Sequence, residues 1–139
     1  MKKTSLFFFI FAAGLLACQQ SERAPQGDLN PNGDSELALL MRTMYEETME
    51  MKKALKEGKK YDHSFETEAI FTATPTEEGK NASTTYKAFA QNYQHVMEQY
   101  AEASGKDLKG SYERIVENCQ SCHQAICPGP LRRIRHLEL

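Results

Sequence analysis

Cys119-Gln120-Ser121-Cys122-His123 is the stretch whose residue types and spacing carry the most chemistry. A C-x-x-C-H run is the sequence mark of covalent c-type haem attachment. Two thiols must each reach a vinyl group on one porphyrin edge to form thioethers. Two intervening residues on a helical turn set the separation. The adjacent histidine turns its imidazole to the iron as proximal ligand. This assigns Cys119 and Cys122 to attachment and His123 to the iron, with haem c as the cofactor. It also demands a pocket and a sixth ligand from the rest of the chain. Two other chemistries use a bare C-x-x-C. A zinc site would recruit Cys119, Cys122, Cys127 and His123, but neighbouring Cys122 and His123 diverge on a helix, and no second metal-type pair occurs elsewhere. A redox dithiol of the thioredoxin kind wants alternating strands and helices, and this sequence shows no strand alternation.

The start of the chain bears on the compartment in which that chemistry would occur. Lys2 and Lys3 form a short positive region, and Leu6 to Ala17 is a mostly apolar run suited to a signal peptide and too short for a spanning helix. It ends in Leu15-Leu16-Ala17-Cys18, which resembles the lipobox of bacterial lipoproteins, where cleavage precedes a cysteine that then carries lipid. The expectation is a signal peptide over 1–17 and lipidation at Cys18, with an ordinary secretory signal as the plainer alternative. Haem is attached to c-type cytochromes outside the bacterial cytoplasm, so export and C-x-x-C-H support one another. The expected place is the periplasmic or cell-surface side of a bacterial membrane, with the lipid anchor as the membrane contact. Cys127 is the cysteine left over; burial against the haem is the favoured expectation, with pairing between molecules as the alternative.

Stepping from the motif to its scaffold, residues 18–33 are polar and contain Pro25, Gly27, Pro31 and Gly33. That composition reads as a flexible tether. About 105 residues follow, enough for one small domain. Loss of Lys2 and Lys3 takes the 17 basic residues to 15 against 19 acidic ones, a net charge of −4, which argues against nucleic acid as a partner.

The domain, expected over 34–127, reads as helices throughout. The first is capped by Asp34 or Ser35 and closed near Gly58, with Leu37, Met41, Met44, Met51 and Leu55 on one stripe and Thr48 in its polar slot. A second, shorter helix is expected from Asp62 to about Thr74, with Phe65, Ala69 and Ile70 inward. Pro75 to Ser83 is a loop. The third runs from about Thr84 to Ala103 on a stripe of Tyr86, Phe89, Tyr93, Val96, Met97 and Tyr100. The fourth starts near Asp107 and ends at Pro128-Gly129-Pro130, placing Cys119 and Cys122 on its seam with Leu108, Tyr112 and Ile115. Four helices with short connections and narrow stripes suit an all-α, antiparallel up-down-up-down four-helix bundle with haem attached near its C-terminus.

From about Ser35 to Ile126 this order resembles the four-helix-bundle cytochromes of the cytochrome c-prime family. The residues that carry the resemblance are a Met-bearing first helix, Ala54-Leu55-Lys56-Glu57-Gly58-Lys59-Lys60-Tyr61-Asp62 at its end, two amphipathic helices, and C-x-x-C-H in the last helix. In such a bundle the first and fourth helices are antiparallel neighbours, so the ligand opposite His123 comes from the first turns of the first helix, where Met41 and Met44 both stand on the stripe. The resemblance, aligned on the Lys-Gly turn, favours Met41 as the second axial ligand, with Met44 as the runner-up. Met at helical spacing also fills gaps in cores. In five-coordinate relatives an apolar residue covers the open face and small gases bind there.

His63, His95 and His136 are expected at the surface. The basic tail over 128–139 departs from the family's short ending. Arg132, Arg133 or Arg135 is a candidate to pair with haem propionates or with an acidic redox partner, and a solvated basic end touching anionic lipid is the plainer reading. Asn81-Ala82-Ser83 matches a glycosylation sequon, which has no use in a bacterial lipoprotein. No acid, base or nucleophile constellation is visible, so no enzyme is expected. The expected function is single-electron transport by a monohaem cytochrome, with gas binding or sensing at a five-coordinate haem as the alternative. The resemblance also leaves open a homodimer through the first two helices.

Overall fold

The computed structural model describes residues 34–139; the expected signal peptide, Cys18 and the tether as far as Gly33 lie outside the described residues. The described chain is all-helical, without strands. Three long helices dominate: α1 (Glu36–Lys56), α3 (Thr84–Glu102) and α4 (Asp107–Ile126), with α2 (Ala69–Thr72) and α5 (Leu131–Ile134) as single turns. No helix among the described residues is long and apolar enough to cross a membrane.

Local chemistry sets the helix limits. Ser35 begins α1 by accepting a hydrogen bond from the Ala38 amide at 3.1 Å, and Ser83 does the same for the Tyr86 amide at the start of α3. Each satisfies an amide that the helix itself cannot. At the end of α1, the Gly58 amide donates to Leu55 at 3.0 Å and the Lys59 amide to Ala54 at 2.8 Å. That closure needs a left-handed residue, and Gly58 adopts φ of 72°. Thr48 keeps its place on the buried stripe because its hydroxyl donates back to the Met44 carbonyl at 2.6 Å.

Side-chain pairs give the helix directions. Arg114, early in α4, donates to Gln99 near the end of α3 at 2.9 Å. Asn118, further along α4, donates to the Phe89 carbonyl near the start of α3. The two helices therefore run in opposite directions. The start of α1 is tied to the chain before α3: the Leu37 amide donates to Thr74, and Thr74 returns its own amide and hydroxyl to Glu36 at 3.0 and 2.8 Å. Asn81 then donates to Ala73 at 3.1 Å, so its amide serves the fold. The start of α1, the start of α3 and the end of α4 thus share one end of the molecule.

Two segments differ from expectation. The second helix is only Ala69–Thr72, not Asp62 to Thr74. Its expected first half is held in other ways: Glu47 of α1 accepts the Ser64 amide at 2.7 Å and the Ser64 hydroxyl, and the His63 ring leans on Phe65 with centroids 4.7 Å apart. A helix nucleus fixes several residues for one hydrogen bond, so a short segment with such tertiary partners does not form one.

The C-terminal segment is the other difference: it is not a solvated basic tail. After Pro130 it turns back as α5 and a 3-10 turn, Arg135–Leu137, with Ile134 and Leu137 only 6% and 1% exposed. Tyr112 donates to the Leu137 carbonyl at 2.6 Å, Gln120 donates to the Glu138 carboxylate at 2.6 Å, and Lys52 of α1 donates to the His136 carbonyl at 2.8 Å. The segment joins α1 to α4, and its two buried apolar residues, Ile134 and Leu137, complete the core.

Candidate functional site

α4 carries Cys119 and Cys122 one turn apart, both half-buried and neither in a disulfide. Cys119 packs on the core cluster. Burial pushes its thiol up to about 12 and that of Cys122 up to about 11. A redox dithiol works through a thiolate of lowered pKa, so these surroundings run against that chemistry. Nor do Cys119, Cys122, Cys127 and His123 form a metal cage: among the described residues, no three His, Cys, Asp or Glu side chains converge to hold an ion.

His123 follows directly and is half-buried. Its Nδ1 lies 3.0 Å from the Cys127 carbonyl oxygen. A carbonyl only accepts, so Nδ1 carries the proton and Nε2 keeps a free lone pair. Burial lowers the histidine's pKa, while the hydrogen bond to Cys127 opposes that shift. The acceptor owes its position to Pro128. A residue before proline is pushed out of the helical region, and Cys127 accordingly has φ of −149° and ψ of 77°. Its carbonyl thereby leaves the helix ladder and meets the imidazole. The Cys127 side chain is exposed, contrary to the expected burial. Its contribution to the site comes from the backbone.

Tyrosines wall this part of α4. Burial pushes the Tyr86 phenol up to about 12 and raises those of Tyr93 and Tyr112 above their ordinary value. The Tyr86 hydroxyl donates to the Ile70 carbonyl at 2.7 Å. The Tyr93 hydroxyl is buried and has no hydrogen-bond partner among the described residues. Periodicity reads Tyr93 only as a core position; nothing in the pattern marks its hydroxyl as unmatched. Phe89 is half-buried, with Ala90 taking the inward position, and it borders a mostly apolar hollow of about 480 Å³ beside Thr84, Thr85, Ala88 and Asn92.

On α1, Met44 is 6% exposed within the core, and Met41 packs half-buried against it. Both belong to the half of α1 that shares an end with His123. Met51 is fully buried and lies further along. Arg42, next to Met41, is held by the Asp34 carboxylate, one arm at 2.6 Å. In the C-terminal segment the Arg133 guanidinium stacks 4.4 Å from the centroid of the Tyr45 ring. Arg132 and Arg135 are exposed. His95 and His136 are exposed, and His63 is half-buried, with its Nδ1 3.1 Å from the Phe65 carbonyl.

These residues fit a covalently held haem. Two thiols stand a turn apart on one helix, and the adjacent imidazole has its Nδ1 on a backbone carbonyl with no partner at Nε2 among the described residues. Compared with known proteins, the chain matches no family model, no curated protein and no solved structure.

Proposed function

We propose that this chain is a monohaem c-type cytochrome of the cytochrome c-prime kind, lipid-anchored at Cys18 outside the cytoplasm, that carries single electrons to and from a redox partner protein. The observation that carries the proposal is His123 inside C-x-x-C-H, with Nδ1–H spent on the Cys127 carbonyl and Nε2 free to face iron. Such a backbone partner fixes the ring and its tautomer. The bound haem supplies the one-electron chemistry. Cys119 and Cys122 would hold it through thioethers, and His123 would offer its Nε2 to the iron. In this reading α1, the α2 segment, α3 and α4 form an up-down-up-down bundle, and Met41 is the second axial ligand with Met44 as runner-up. Arg132 and Arg133 are the candidates for the propionates, although Arg133 already stacks on Tyr45.

Haem staining of a denaturing gel tests the proposal. A band that keeps haem after denaturation is expected; a colourless band removes the cytochrome reading. A second reading, small-gas binding at a five-coordinate haem, is favoured by one observation: Met44 is already buried in the apolar core, as a packing residue would be. The ferric spectrum separates the two. A Met–iron charge-transfer band supports electron transfer, and a high-spin spectrum with rapid CO binding supports gas chemistry.

A further inference from the structure

The C-terminal segment grips both helices that carry candidate iron ligands. On α4, Gln120 stands inside the C-x-x-C-H run and donates to the Glu138 carboxylate at 2.6 Å, and Tyr112 donates to the Leu137 carbonyl at 2.6 Å. On α1, Lys52 donates to the His136 carbonyl at 2.8 Å and also to the Glu138 carbonyl. The Arg133 guanidinium lies 4.4 Å from the centroid of the Tyr45 ring. Tyr45 is one helical turn beyond Met41, so the two side chains share a face of α1. Between these contacts Ile134 and Leu137 are buried in the core. The segment thus ties the attachment motif on α4 to the Met41 face of α1.

We infer that the C-terminal segment is a clasp whose Arg133–Tyr45 contact positions Met41 on the haem iron, an inference that rests on the cytochrome reading above with Met41 as second axial ligand. Metal–ligand bonds tolerate deviations of only about 0.2 Å. Met41 therefore stays on the iron only while α1 keeps a fixed distance from the helix that anchors the haem. Release of the clasp lets α1 drift, the thioether leaves, and the sixth position opens to a small ligand such as CO. Arg133 and Tyr45 are positioning residues, acting through α1 rather than on the iron.

Arg133→Gln and Tyr45→Leu in the haem-loaded protein test this, alone and together. The rate of CO binding to the ferrous protein at low CO is measured well below the melting temperature. The temperature at which the ferric Met–iron charge-transfer band fades is compared with that at which the helices melt. Each single variant is expected to bind CO about two- to fivefold faster, the factor by which loss of one exposed cation–ring contact raises the population of the released state. Each is also expected to lose the band further below its own melting temperature than wild type does. The double variant should match the singles rather than multiply them, because the same contact is lost in all three. Gly58→Ala destabilises α1 outside the clasp and should leave the CO rate at the wild-type value. An equal acceleration by Gly58→Ala, or wild-type CO rates in both Arg133→Gln and Tyr45→Leu, overturns the inference while the cytochrome reading stands. Wild-type protein with covalent but high-spin haem removes the Met41 ligand and overturns the inference with it. A wild-type chain without haem on a denaturing gel overturns the cytochrome reading as well.

Discussion

An imidazole binds metal well when its other nitrogen has somewhere to put a proton, and here that place is the carbonyl of Cys127, four residues on. The cysteine that sequence reasoning expected to bury is exposed, and it is the backbone of the same residue that reaches the histidine. The two candidate sixth ligands differ in burial, and so predict different outcomes. Met41→Ala is expected to abolish a Met–iron charge-transfer band in the haem-loaded protein with a modest effect on folding. Met44→Ala is expected to keep the band and to lower stability by about 2–5 kcal/mol, read from denaturant melts. The reverse pattern of bands would make Met44 the ligand. Glu36 gives a pH test. The Thr74 amide first, and the Thr74 hydroxyl second, hold its carboxyl below the usual value of 4.5. A lowered carboxyl contributes stability above that value and loses it as pH falls through the folded one. Melting temperatures measured across the acid range should therefore fall more steeply below pH 4.5 for wild type than for Glu36→Gln.

At the scale of elements, stripes of apolar residues located all three long helices, and cap chemistry placed their ends within a residue or two. Ser35, Gly58 and Pro128 were legible because their effects are local. Gly58→Ala forces a side chain into the left-handed region and is expected to destabilise by about 1 kcal/mol in thermal or urea melts. The second helix was not legible. Its apolar spacing permits a helix, but Glu47 is 17 residues away in sequence and captures Ser64 first. The C-terminal segment was misjudged for the opposite reason: its charges dominate the composition, while only Ile134 and Leu137 decide where it packs. Leu137→Ala is expected to cost about 2–5 kcal/mol in urea melts and to expose Tyr112 to solvent quenching of its fluorescence.

For the whole molecule, the described domain is one part of the proposed arrangement, and the expected signal and tether lie outside the described residues. The proposed lipid makes a prediction at this scale. Cys18→Ser should move haem-staining protein from the membrane fraction to the soluble fraction of the cell, with its absorption spectrum unchanged. Retention of the variant on membranes would remove the anchor from the proposal. With the expected signal removed, a net charge of −4 would suit a partner surface that presents cations, whereas Arg133 in the Arg-rich end stacks on Tyr45.

The sequence by itself determined the all-helical class, the limits of α1, α3 and α4, and the grouping of Cys119, Cys122 and His123, since each depends on contacts within a turn or two of the chain. Tertiary structure decided what depends on distant partners. It shortened α2 to a turn, packed the C-terminal segment between α1 and α4, and turned the Cys127 carbonyl onto His123. A residue pattern encodes which face is apolar; which polar groups on that face find partners depends on what other segments bring to it. The C-x-x-C-H run therefore carries the proposed chemistry in five residues, while the backbone partner of its histidine became visible only once the chain was folded.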